Sequence, residues 1–132
     1  MVNVHAWYTN STIQDAPTFQ FDFFKENDPD LATLVPNKPQ MYMTEVGWPT
    51  NSSVPVVSTS GASVENLQYF LNNFVCTANT QGVKYFYYEY MNTPGRNSGG
   101  LVWGVSGVCS TATRRSRLLH CRIARTTDWC RE

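Results

Sequence analysis

Three short apolar runs, separated by a helical pattern and polar loops, restrict this chain more than any other feature. Val2-Asn3-Val4-His5-Ala6-Trp7-Tyr8, residues 40–46 and residues 83–91 each read as a strand. Each run is almost continuously apolar, as expected of parallel strands covered on both faces. Between the first two runs, Ile13, Ala16, Phe19, Phe23 and Phe24 recur at mostly helical spacing over residues 13–34. Asp15 is placed to cap this helix, Pro17 lies in its first turn, and Asp28-Pro29 predicts a break. Before the third run, Ser63 predicts an N-cap and Gly82 a helix end, with Glu65 in the electropositive first turn. Val64, Leu67, Phe70, Leu71, Phe74, Val75 and Ala78 share one face of that helix. Residues 49–62 and 92–100 read as loops, and residues 101–105 as a short apolar segment. Strand, helix, strand, helix, strand argues for parallel βαβ units. Three parallel strands with open edges make a poor independent fold, so the expected architecture is a piece of a larger α/β barrel.

Composition supports a packed core: 42% of the 132 residues are hydrophobic and 14% aromatic. The length falls well short of the roughly 250 residues of a full (β/α)₈ barrel. No apolar run reaches the ~18 residues of a membrane span. The start, Met1-Val2-Asn3-Val4-His5, has neither a basic n-region nor a long apolar h-region, so no signal peptide is expected in it. The zero net charge hides a split: residues 1–110 hold four Lys/Arg against eight Asp/Glu, and residues 111–132 hold six Arg against Asp128 and Glu132. A basic tail is a common nucleic-acid or membrane-surface signal. Here it lacks a supporting fold, so no nucleic-acid partner is expected. Cys76, Cys109, Cys121 and Cys130 allow three full pairings. His120, Cys121 and Cys130 match no standard zinc spacing, and neither a metal nor a cofactor is expected. Asn10-Ser11-Thr12 and Asn51-Ser52-Ser53 are N-glycosylation acceptor motifs in loop-like sequence, a mild argument for secretion.

The chemistry concentrates in Met41-Tyr42-Met43-Thr44-Glu45-Val46-Gly47-Trp48-Pro49. A glutamate at the end of a buried strand is costly unless something pairs or uses it. A strand ending in a glutamate with an aromatic just beyond is the layout of a retaining glycosidase on a (β/α)₈ barrel. Glu45 is the candidate nucleophile; a strand-end cap or ion-pair partner is the structural alternative. His5 is placed to donate to a sugar hydroxyl or to orient Glu45, against a buried histidine satisfied by backbone. Tyr8 and Trp48 are candidate pyranose platforms, against core packing for Tyr8 and a structural wedge for Trp48. Glu89, the other carboxylate at a predicted strand end, is either a site residue or a partner of Arg96.

With these residues in hand, the chain resembles the C-terminal part of fungal glycoside hydrolase family 17, the β-1,3-glucanases. Met43-Thr44-Glu45-Val46-Gly47-Trp48-Pro49-Thr50 is similar to the family's "ETGWP" nucleophile signature on barrel strand seven. Val2-Asn3-Val4-His5-Ala6-Trp7-Tyr8 resembles the strand-six stretch "NIHPFF". Residues 63–82, with Cys76, resemble the helix after the nucleophile. Tyr87-Tyr88-Glu89-Tyr90-Met91-Asn92-Thr93-Pro94-Gly95-Arg96 resembles the strand-eight segment "FEAFDEPWK", and Trp103-Gly104-Val105 the following "WGL". The likeness covers residues 1–105. It departs at Thr93, Gly95 and Arg96, where the family has Glu, Trp and Lys. It also lacks the "GNE" segment that carries the family's general acid after strand four.

The resemblance implies a truncated (β/α)₈ barrel over residues 1–108, with strands six to eight, and an atypical, poorly ordered Arg-rich tail over residues 109–132. It implies Glu45 as nucleophile, with His5, Tyr8, Trp48, Glu89 and Arg96 as glucan-binding residues. The parent is expected to be a secreted or cell-wall enzyme that hydrolyses or transfers β-1,3-glucan with retention, and these residues alone to be inactive. The alternatives are a non-catalytic remnant that binds glucan weakly, or an interaction protein using its basic tail.

Overall fold

The computed structural model describes residues 2–27, 34–37, 39–53, 58–89 and 100–104. The predicted break at Asp28-Pro29, the loop with Arg96 and the tail over 109–132 lie outside the described residues. Three strands, β1 (Val2–Asn3), β2 (Tyr42–Val46) and β4 (Lys84–Tyr87), form one sheet in the order β1-β2-β4. Both pairings are parallel, with Asn3 opposite Glu45 and Val46 opposite Tyr87. The fold class is therefore the expected α/β one.

Two helices cover one face of this sheet. Helix α1 (Ala16–Asn27) buries Ala16, Gln20, Phe21 and Phe24, and α2 (Val64–Gln81) buries Leu67, Phe70, Leu71, Phe74 and Ala78. Phe74 joins the layers: it stacks on Phe21 at 5.0 Å and on Phe70 at 5.2 Å, and meets Tyr85 of β4 edge-on at 5.0 Å. Both predicted ends of α2 form. The Ser63 hydroxyl accepts the Asn66 N–H, and Gly82 takes the left-handed conformation with its N–H turned back to the last carbonyls. The opposite face of the sheet carries Tyr42 beside Phe86, which is exposed.

The strand that carries Glu45 departs from strict alternation. Regular pleating would put Met43 and Glu45 on one face. The β2–β4 register shifts between Met43 and Val46, so Met43 and Val46 both enter the core and Glu45 stays partly open. Such irregularities commonly re-aim a side chain near a site.

Two expectations need correction. The run predicted as strand to Tyr8 pairs only through β1. After the Val4 N–H bonds to the Glu45 carbonyl, the chain turns into a short 3₁₀ segment, Ala6–Tyr8, closed by Tyr8 and Thr9 N–H bonds to His5 and Ala6. This turn buries Trp7 against Trp48, edge to face at 5.3 Å, so Trp7 is apolar because it is core, not because it is strand. The segments read as a loop and as a short apolar piece also pair with each other. Strands β3 (Asn51–Ser52) and β5 (Leu101–Val102) make a small antiparallel sheet, extended by Thr50 N–H to Val102 O and Ser53 N–H to Gly100 O.

Gly47 is required where β2 leaves the sheet. A Cβ there would collide with the Tyr88 carbonyl oxygen, and that atom is backbone held in place by the Tyr88 N–H bond to Val46 O. Gly47→Ala should therefore cost about 3 kcal/mol, the upper end of the overpacking range. An unchanged urea midpoint would show that the strands do not approach this closely.

Candidate active site

At the C-terminal edge of the sheet, one carboxylate meets one imidazole. His5 Nε2 lies 3.1 Å from Glu45 Oε2, and the two side chains keep 14% and 40% of their exposure. The ladder sets this meeting: Asn3 pairs with Glu45 across the sheet, and Val4 bonds to the Glu45 carbonyl, so the residue after Val4 reaches the carboxylate. Next to it, the Thr44 hydroxyl bonds to the Asn3 side chain. Among the described residues, His5 Nδ1 is buried without a hydrogen-bond partner. An unpaired lone pair is cheaper there than an unpaired N–H. With Nδ1 unpartnered, the ring proton belongs on Nε2, which donates to Glu45 Oε2.

Aromatic rings frame the imidazole. Trp103 meets it at 5.1 Å, Tyr88 at 5.9 Å and Tyr8 at 6.1 Å, all edge-on. Trp103 is buried and Tyr8 is 54% exposed. The small sheet places Trp103, since it follows β5 directly. The Tyr87 hydroxyl also donates to the Trp103 carbonyl at 3.4 Å. Glu89 lies two residues beyond the Tyr87 that pairs with Val46, at the same strand end as Glu45 and half-buried.

Several phenols of the sheet and its edge are held above their ordinary pKa. Burial raises Tyr87, and the negative charge of Glu89 adds to it. Burial, then Tyr88, raises Tyr8, and burial raises Tyr85. A phenol that ionises later when folded holds its proton while the unfolded chain gives it up. The stability it contributes is complete below about pH 10, the unfolded tyrosine value, and is lost as pH rises towards the folded values. Phenolate absorbance should show a late-ionising class of tyrosines. The Tyr87→Phe variant should lack one member of that class, and an unaltered late class would contradict the burial.

The predicted residues separate into groups. His5 and Glu45 are brought into contact, Tyr8 stands beside them, and Glu89 shares their edge. Trp48 is fully buried; it packs on Trp7, and its indole N–H donates to the Gly61 carbonyl. This is the wedge position rather than an open platform. Arg96 lies outside the described residues. Sequence reasoning missed the contact of Trp103 and Tyr88 with His5; a tryptophan straight after a short apolar run was the available signal. Among the described residues, no group of three or more His, Cys, Asp or Glu is placed to hold a metal, and no helix is long and apolar enough to cross a membrane.

Chemically, the edge offers a carboxylate that is accessible, fixed by a donor and set in an aromatic frame. That arrangement suits attack on, or electrostatic stabilisation of, an electrophilic carbon.

No family model matches the chain. A protein of Aspergillus flavus named as a glucan endo-1,3-beta-glucosidase is 30% identical over 103 residues, which is 71% of this chain and 15% of that protein. A protein of the same name in Aspergillus niger is 30% identical over 115 residues, 78% of this chain and 16% of that one. The chain therefore spans about 15% of the length of the curated relatives it matches. Among solved structures, the glycoside hydrolase family 17 beta-1,3-glucanosyltransferase from Rhizomucor miehei superposes with a TM-score of 0.63 at 22% identity, over 78% of this chain and 36% of that one. An active-site mutant of the same enzyme in complex with laminaritriose gives a TM-score of 0.62 at 19% identity, with the same coverage. The fold is thus part of a (β/α)₈ barrel.

Proposed function

We propose, for a chain that is a partial homologue of glycoside hydrolase family 17, that its sheet edge is the nucleophile half of a retaining β-1,3-glucan site. Glu45 attacks the anomeric carbon as the ionised carboxylate, and His5 holds it in place. Tyr8, Glu89 and Arg96 bind the sugar. The observation that carries the reading is the 3.1 Å contact between His5 and Glu45 at the strand ends. Barrel enzymes carry their catalytic groups at that edge. The relatives named for β-1,3-glucan chemistry supply the substrate class.

A retaining mechanism needs a second carboxyl, about 5–5.5 Å from the nucleophile, to protonate the leaving oxygen. In this reading Glu89 binds substrate or orients Glu45, and the acid comes from an earlier strand of a complete barrel. The barrel segment runs to about residue 108, and residues 109–132 take no part in the chemistry. The parent acts outside the cell or in the wall, where its polymeric substrate is. The 132 residues alone should release no reducing sugar from laminarin, and Glu45-dependent release by them would refute the division of roles. The direct test grafts residues 2–104 into a complete homologous barrel and treats it with a 2-deoxy-2-fluoro glycoside. The label should be found on Glu45; label on Glu89 overturns the assignment.

A further inference from the structure

We infer that Asn10 carries an N-linked glycan seated on the groove beside α1, and that the second acceptor motif, at Asn51, is the poorer of the two. The chemistry takes an N-acetylglucosamine-ended oligosaccharide on a lipid pyrophosphate. The Asn10 Nδ2 bonds to the anomeric carbon, the carbon–oxygen bond to pyrophosphate breaks, and the amide proton leaves as the lipid pyrophosphate departs. The motif needs a hydroxyl two residues on, which Thr12 supplies.

The structure separates the two asparagines. Asn10 is exposed, in the turn between the 3₁₀ segment and α1. The bond to Asn10 is to its backbone carbonyl, from the Thr59 hydroxyl at 3.5 Å. Its side-chain amide takes part in no hydrogen bond among the described residues, so substitution there breaks nothing. The turn is fixed without it. Ser58 donates to the Ser11 carbonyl, the Thr9 hydroxyl bonds to Ser11, and Thr12 exchanges two hydrogen bonds with Asp15. Asn51 is built into the small sheet, and its Oδ1 accepts the Ser52 N–H at 2.7 Å. A sugar at Asn51 would load a two-residue strand that places Trp103 under His5.

Asn10 also opens on a place for the sugar. A groove of about 470 Å³ is lined by Asn10, Ser11, Asp15, Thr18, Phe19 and Asp22. Its partly buried Phe19 offers an apolar surface, and the carboxylates and hydroxyls around it are acceptors for sugar hydroxyls. The groove lies between the turn at Asn10 and the first turns of α1. The inference does not rest on the glucan reading, only on passage through a compartment that glycosylates.

The test expresses the full 132-residue chain behind a cleavable secretion leader in yeast and analyses the leader-cleaved protein with and without a peptide N-glycosidase. The wild type should collapse by at least one glycan step on digestion. Asn10→Gln and Thr12→Ala should each lose that step, Thr12→Ser should keep it in part, and Asn51→Gln should change the occupancy by less than Asn10→Gln does. Leader-cleaved protein with no glycan, or a step lost in Asn51→Gln and kept in Asn10→Gln, overturns the inference. Activity of the grafted barrel is a separate readout: Asn10→Gln should leave it within about twofold, so failure of the glycan and failure of the catalytic reading remain distinguishable.

Discussion

In a complete barrel carrying this segment, Glu45→Gln should reduce turnover of β-1,3-glucan by at least about 10⁴-fold, while Glu89→Gln reduces it by one to two orders of magnitude. Removing a covalent nucleophile takes away the intermediate itself, and losses on the order of 10⁶ are known for such residues. Losing a hydrogen bond to a charged group costs roughly 1.5–3 kcal/mol, or one to two decades in rate. His5→Ala belongs with the second class, because His5 acts through Glu45: the carboxylate remains but loses its donor at 3.1 Å. Its distinguishing readout is the split between kcat and KM. A positioning role lowers kcat with KM little changed, whereas a sugar-binding role raises KM. Equal losses in Glu45→Gln and Glu89→Gln would mean that the two carboxylates have not been told apart.

The position of Glu45 at the strand edge was readable in the sequence because its requirements are local. A strand of five residues, one carboxylate near its end and a glycine immediately after form a contiguous pattern. Parallel strands ending in polar residues had to present those residues at one edge. Helix α2 was readable for the same reason: Ser63, Gly82 and the apolar face between them lie within one element. What failed was long-range. Strands β3 and β5 are two residues each, and their pairing joins Ser52 to Leu101. No periodicity exists over two residues. The departure of the first run from the sheet after Val4 depends on where β2 ends, which the first run does not encode. The framing of His5 by Trp103 inherits both problems, since it needs the small sheet and the turn at once.

Trp48, the aromatic beside Glu45, has two readings, and a pair of variants separates them. An indole near a glutamate suits both a sugar platform and a wedge filling the space where the strand leaves the sheet. Burial favours the wedge for Trp48 and the platform for Tyr8. Trp48 is 0% exposed and Tyr8 is 54% exposed. Trp48→Ala would leave a void against Trp7 and remove the N–H bond to Gly61. Its expected cost is about 3–5 kcal/mol, a large part of the roughly 5–15 kcal/mol that holds a typical domain together. Tyr8→Ala removes a ring that mostly faces water, so its expected cost in stability is below about 1 kcal/mol. In glucan binding the order reverses. Tyr8→Ala should weaken laminaritriose binding by about tenfold, the worth of one aromatic face. Trp48→Phe, which keeps most of the volume, should leave binding almost unchanged while lowering the unfolding midpoint. Measuring urea unfolding and laminaritriose affinity on the same grafted barrel tests both halves. If Trp48→Phe abolished binding in a protein of undiminished stability, the indole would be a sugar platform after all, and the boundary of the site would move one layer inward from Tyr8.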